Sequence, residues 1–439
     1  MRALFGTPGL RRLATLAGGG IRALYRPSVG DAIAVAGSNV YRVAADFTPT
    51  LVGTIDALDA PVSIKDNGNI ALLGTGPNGY QLNLGTNALV RIDDEAFYGG
   101  QRVDYANNAF ILDRPGTFQF YISAADGSVT FDALDFAAAD SNAEPIVSHI
   151  VNHGQLLLFK RTVTEVWSYT GEADFPYTRD GNALIEQGCC APHSVADLDN
   201  SVFWLGEDKT GQGTVWRLNG YSPVRVSHDG IERAIQSYGD ISDARAFAYT
   251  QEGETHYVLS FPSANATWVY GVKAQLWHER AWLDPSDGQL NRHRANCHMF
   301  WSGEHVVGDW ENGNLYALDL DCYDDDGNPL LARRAAAHVA DGDYRRIRYH
   351  GLQVDIEAGV GLLTGQGSDP LMMVRWSDDG GHTWSTLRTM SMGRIAEFKA
   401  RARLRRLGSS RDRVFEISIS DPVKRVILGA AVDAEGLTR

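Results

Sequence analysis

The sequence predicts an all-β protein: a β-propeller of six or seven blades followed by a C-terminal antiparallel, β-sandwich-like platform domain. Three observations predict it. β-rich runs separated by Gly/Asn/Asp turns recur at uneven intervals of roughly 30 to 50 residues. Each unit closes on a strand carrying Tyr or Trp, and almost no helical periodicity intervenes. The clearest unit is 249–282, YTQEGETHYVLSFPSANATWVYGVKAQLWHERAW. HYVLSF alternates in and out, SANA turns, TWVYGV is aromatic and β-branched, and KAQ turns into LWHERAW. Three short strands cannot bury both faces alone, so the unit needs neighbours built the same way.

Those neighbours follow in order. Strand–turn–strand stretches begin at Asp31, Val62, Val103, Ile146 and His193, and another begins at Ala295 beyond the 249–282 unit. Two stacked β-sandwiches are the competing architecture. The propeller is expected over 31–320, with 1–30 as an ordered lead-in and 321–439 as the platform. The last region alternates cleanly in IRYHGLQVDIEAGVG, LMMVRWSDDGGHTW and RVFEISISDPVKRVILGAAVDAE. One helix is expected, at 229–239, with Asp near its start and Gly at its end.

Composition narrows the function. With 44% hydrophobic residues and 46 glycines, the chain suits a cored, turn-rich β protein. No apolar run is long enough to predict a membrane-spanning helix. Residues 341–439 hold 16 Lys/Arg against 13 Asp/Glu, a balance of +3; the other 340 residues hold 24 against 41, a balance of −17. An acidic body argues against tight nucleic-acid binding, which depends on Lys and Arg displacing counterions. It suits a surface past which DNA slides without sticking. Cys189, Cys190, Cys297 and Cys322 are too few for a disulfide framework and form no C-x-x-C pair, so reduced thiols are expected.

Four motifs carry candidate roles. SDDGGHTW at 377–384 matches the S-x-D-x-G-x-T-W Asp-box, so Ser377, Asp379, Gly381, Thr383 and Trp384 are assigned to holding a hairpin. ALDLDCYDDDGNP at 317–329 suggests calcium through Asp319, Asp321, Asp324, Asp325 and Asp326. However, Arg333 stands where an EF-hand loop needs Glu, and a solvated hairpin tip is expected instead. In EFKARARLRRLG at 397–408, Lys399, Arg401, Arg403 and Arg405 alternate with Ala400, Ala402 and Leu404. That pattern predicts one cationic strand face, a docking surface for an acidic partner or phosphates, or simply a solvated face. WHER at 277–280 puts His278 and Arg280 on one face with Glu279 opposite, a poor acid–base pair. No G-x-S-x-G, H-E-x-x-H or P-loop is present, so neither catalysis, cofactor nor metal is expected.

Read together, these stretches resemble the tail hub or nozzle proteins of short-tailed bacteriophages, the packaged-DNA stabilisation family. The resemblance runs nearly end to end. TPGL at 7–10 is similar to the family's early signature, and 164–196 and 203–227 to its central block. TWVYGVKAQLWHERAW is similar to its aromatic strand pair, which often has Tyr-Asp where this chain has Tyr270-Gly271. RWSDDGGHTWS and 403–422 resemble its C-terminal domain. The residues before Thr7 are shorter than the family's usual arm. The resemblance implies a non-enzymatic virion tail component assembled in the host cytoplasm. It implies six-copy rings below the portal and adaptor, extending the DNA channel without sequence-specific DNA binding and helping to retain the genome. It also implies attachment surfaces for tail spikes or fibres and for a needle or plug. The rival reading is a glycan-binding or sialidase-like propeller for host recognition.

Overall fold

A computed structural model describes residues 3–172, 174–208 and 210–437. They divide into two compact units: Arg12–Ala281 with Asn291–Ala317, and Met1–Arg11 with Trp282–Leu290 and Leu318–Arg439. Met1 and Arg2 of the expected lead-in lie outside the described residues.

The first unit is a propeller. Six four-stranded antiparallel sheets come from single stretches of chain, within 21–54, 63–91, 103–138, 148–179, 196–225 and 245–279. A seventh combines Ala295–Trp301, Glu304–Asp309 and Asn314–Asp319 with the strand Gly9–Thr15. The first strands of successive sheets are neighbours, those of the fourth and fifth meeting where Asn152 Nδ2 donates to Asp197 Oδ1 at 3.5 Å, and Ala295–Trp301 returns to Ile21–Tyr25 to close the circle. Seven blades therefore surround one axis among the described residues. The 249–282 unit is the sixth blade, with one strand more than expected. Its innermost strand, Arg245–Gln251, pairs with Glu254–Phe261 around a Glu252-Gly253 turn in which both residues have positive φ.

The lead-in does not stand apart from the blades. Ile21–Tyr25 is the inner strand of blade one, and Gly9–Thr15 is the outer strand of blade seven. Within the propeller, Leu16 N donates to Gly313 O at 2.8 Å and the Thr15 hydroxyl to Asn314 Oδ1 at 2.6 Å. Backbones meet so closely here that a Cβ on Gly313 would lie 1.8 Å from Leu16 O. Gly313→Ala is expected to cost about 3 kcal/mol, because backbone cannot rotate aside as a side chain can. Gly239→Ala, which meets nothing, is the control. Thermal melts and limited proteolysis of 9–16 measure it; equal melts for the two variants refute the closure.

Blade seams hold the cores. Ala23, Val35 and Val40 of blade one pack on Ile64, Leu73 and Leu82 of blade two. Equivalent apolar clusters fill the next four seams and the seam from blade seven to blade one. Middle strands are thus buried on both faces, as in SVFWLGE and the YVLSF of ETHYVLSF, where buried runs replace alternation. The sixth-to-seventh seam is built differently. Phe247, Tyr249, His256, His278 and Arg280 of blade six face His298 and His305 of blade seven. Tyr249 lies 5.6 and 5.5 Å from those two rings, and His298 Nε2 is 3.1 Å from His305 Nδ1. The helix is Asp229–Gln236; His228 caps it, accepting from Gly230 N at 3.1 Å.

The second unit is a β-sandwich. One sheet joins Leu4–Phe5, Val426–Gly436, Ile347–Ile356 and Ala402–Arg405. The other joins Ala332–Ala335, Asp412–Ile419, Leu371–Ser377 and Arg388–Ser391. Ile347 and Tyr349 point inward and Arg348 and His350 outward. A register shift between Tyr349 and Gly351 then resets the alternation so that Leu352 and Val354 also point inward. They pack with Met372, Val374, Phe415 and Ile419. The all-β class expected from the sequence holds for both units.

Candidate functional site

The Asp-box closes on itself. The Ser377 hydroxyl donates to Asp379 Oδ1 at 2.7 Å and accepts from Gly381 N at 2.8 Å. Asp379 also accepts from Thr383 N at 2.8 Å and from its hydroxyl at 2.6 Å. The Ser377 and Thr383 hydroxyls hold the Asp379 carboxyl well below the usual carboxylate range. Gly380 and Gly381 supply positive φ, at 73° and 100°. Trp384 is half-buried, with the Arg375 guanidinium 4.6 Å from its ring centre. Next to the box, the buried Arg413 forks onto Asp378 at 2.6 and 2.8 Å, fixing the hairpin to the sandwich core. The box therefore lies in the sandwich and not on a blade, and its polar groups are taken up in holding their own backbone.

The cationic stretch is shorter as a strand than its alternation predicts. Only Ala402–Arg405 pairs, running from Val354↔Ala402 to Gly351↔Arg405 at the sheet edge. Arg403 and Arg405 face outward while Ala402 and Leu404 enter the core. Arg401 is exposed just before the strand, and Lys399 is exposed in a turn. The turn prevails because Ala396 has φ 63° and Ala400 N bonds back to Glu397 O at 3.2 Å. Exposed cations on an edge strand also guard against edge-to-edge pairing.

At 317–329, Asp324–Asp325 and Asn328–Pro329 form a tight hairpin about Asp326-Gly327. The solvated tip expected from the sequence needs one correction. Asp325 is 1% exposed, held inside near the buried Arg425, whose charge offsets the loss of water. Asp319 binds Arg11 Nε at 2.7 Å. Among the described residues no group of His, Cys, Asp and Glu is arranged to hold a metal. The four cysteines are free, and burial pushes the Cys189 and Cys297 thiols up to about 11 and about 12.

The propeller axis is lined by polar groups that tie one blade to the next. Tyr25 Oη donates to Asp66 Oδ1 at 2.7 Å, and Lys65 Nζ sits 3.0 Å from Asp104. Buried His149 lies between Asp104 and Asp113. Asn296 accepts from Arg245 at 3.3 Å and donates to Ile21 O at 2.8 Å, joining blades six, seven and one. A cavity of about 460 Å³, lined by Asn152, His153, Asp197, Asp199 and Tyr249 among others, opens among the inner strands of blades four to six. From the sequence, His149 and His153 stand out only as scattered histidines that could pair with an Asp in space, and none of the pairings is legible, because each residue finds its partner in a blade tens of residues away. Sequence reasoning also passed over Ile395 and Phe398, which stand among the charges it did single out.

The chain is thus a closed propeller and a β-sandwich, with the Asp-box groups committed to their own hairpin. The chain matches the family described as bacteriophage P22 Gp10, beta-propeller, over residues 3–323, and bacteriophage P22 Gp10, beta-sandwich, over 333–435. It belongs to that family: a structural protein of the bacteriophage tail, located in the virion, and not an enzyme. No curated protein matches it. Among solved structures it is similar to the extracellular domain of the putative one component system BT4673 from B. thetaiotaomicron. Identity there is 11% and TM-score 0.47, covering 92% of this chain and 56% of that one. It is also similar to a chain of the Mitotic Checkpoint Complex, at 11% identity and TM-score 0.45, covering 72% and 93%.

Proposed function

We propose that this protein is the tail nozzle: six copies form a ring below the portal and adaptor, continue the DNA channel and help to retain packaged DNA. Attachment surfaces for spikes or fibres and for a needle or plug complete the role. The observation that carries this reading is membership of the P22 Gp10 family across both units. The balance of −17 over residues 1–340 supports a conduit wall that repels phosphates. Cryo-EM of the protein mixed with its cognate portal–adaptor complex tests it. Six copies in a closed ring are expected, and a protein that stays monomeric and unattached overturns it.

The basic edge is the docking element in this reading, meeting an acidic adaptor or a neighbouring subunit. Reversing Arg401, Arg403 and Arg405 to Glu is expected to abolish ring attachment, read by co-sedimentation with the portal–adaptor complex. These side chains are exposed, so folding is expected to survive. Normal assembly of the triple variant removes the docking role.

A further inference from the structure

Two loops of the β-sandwich, 357–370 and 392–400, lie side by side. Ala396 N donates to Gly359 O at 3.2 Å. A Cβ on Gly359 would sit 2.8 Å from the Phe398 ring, and one on Gly361 would sit 2.9 Å from Ile395 N. Ile395 and Phe398 come forward beside this loop, 50% and 75% exposed, and Leu363, two residues beyond Gly361, is 81% exposed. Single exposed apolar side chains are ordinary; a cluster of them marks an interaction site. The patch is pre-organised. Leu362 N bonds Gly367 O at 2.8 Å, Arg394 N bonds Glu397 Oε2 at 3.0 Å, and the Arg394 guanidinium holds Asp369 at 3.1 Å. Little ordering cost opposes binding.

Lys399, Arg401, Arg403 and Arg405 continue from Phe398 along the chain, all exposed. Arg403 has only a distant ion pair, 3.9 Å from Asp433. An apolar centre with a charged rim is the anatomy of a protein interface, and this rim is positive. Its complement exists in the same chain, since the propeller unit holds 20 Lys/Arg against 34 Asp/Glu, a balance of −14, while the β-sandwich unit is balanced at 20 against 20.

We propose that the Leu363–Ile395–Phe398 patch docks on the acidic propeller of a second copy of this chain. The proposal rests on the ring reading and names the contact that builds the ring. Unlike surfaces meeting head to tail generate a closed ring when the rotation closes. Patch-to-patch contact would set two cationic rims against each other, which like-charge repulsion disfavours.

The test uses the full chain, wild type and Leu363→Ser/Phe398→Ser, with Lys399→Glu/Arg401→Glu as a second variant. Mass photometry reads assembly, and melting reads folding. Both variants are expected to melt like wild type and to need ~100-fold higher concentration to assemble, as removal of central interface anchors does. Wild-type assembly is expected to weaken with added salt. Carbodiimide is expected to couple Lys399 to a propeller carboxylate of another copy. Variants that assemble at the wild-type concentration overturn the patch while leaving the ring intact, as do couplings found only to an added adaptor protein. A wild type that never assembles removes the ring reading and this proposal with it.

Discussion

Lowering the pH from 7 to 5 is expected to open the propeller at the seam between its sixth and seventh blades while the β-sandwich stays folded. Burial, aided by Arg280, lowers His256 to about 4 and His278 to about 3. Burial beside His305 lowers His298 to about 3, and burial near Arg280 and Arg294 lowers His293 to about 3. An unfolded histidine titrates near 6.5, so above that pH neither state binds the proton. Below it the unfolded chain does and the folded one does not, and each histidine removes about 1.4 kcal/mol per pH unit until its folded pKa is reached. Four such histidines act in the same direction, so together they remove a large part of a typical domain's stability by pH 5. In the sandwich, by contrast, His338 and His350 are exposed, 2.7 Å from Asp412 and 3.4 Å from Glu435. The propeller melt is therefore expected to fall by more than about 10 °C between pH 7 and pH 5. His256→Phe/His298→Phe is expected to recover part of the loss. Hydrogen exchange by peptide locates the opening. A flat melting profile, or opening that begins in blades two to four, counts against the seam.

Lys160→Ala is expected to cost the propeller about 3 to 5 kcal/mol, because it strands a buried carboxylate. The Lys160 and Glu165 side chains are both fully buried, 3.4 Å apart. Lys160 Nζ donates to Ala139 O, and to Asn142 O at 2.7 Å. Glu165 accepts from Ser141 N and from the Trp167 indole, each at 2.9 Å. Lys160→Met/Glu165→Gln removes both charges and keeps an acceptor for the indole, so it is expected to regain more than half the loss in urea unfolding. If the double variant is no more stable than the single, packing and not charge dominates the site.

How much of this was legible in the chain follows from where the partners lie. Strands such as HYVLSF and TWVYGV are long, β-branched or aromatic and pair across short turns, so the repeat is legible from sequence while its count stays at six or seven. Innermost strands are weaker signals. Ala196–Leu198 and Ser63–Asp66 are short and turn polar side chains to the axis. For that reason the first blade begins at Ile21, ten residues earlier than its clearest repeat. GLRRLAT gives no hint of its distant pairing, since two arginines interrupt its alternation. The Asp-box side chains bond within seven residues, so that local motif reveals its own geometry. Asp325 does not, because the arginine that makes its burial tolerable is a hundred positions away.

The short segment 4–15 sets a schedule for synthesis. Leu4–Phe5 pairs with Val426 and Ile427, and Thr15 and Leu16 bond Asn314 and Gly313. It must wait for residues about 300 and 420 positions later, roughly 15 to 80 seconds at ordinary translation speeds. During that interval the growing array of blades carries two raw flanks. In a cell filling with identical nascent chains, those flanks fit the wrong molecule as well as the right one. Slow codons ahead of residues 313–427, or a chaperone holding residues 4–16, would therefore change yield without altering a single contact in the finished protein.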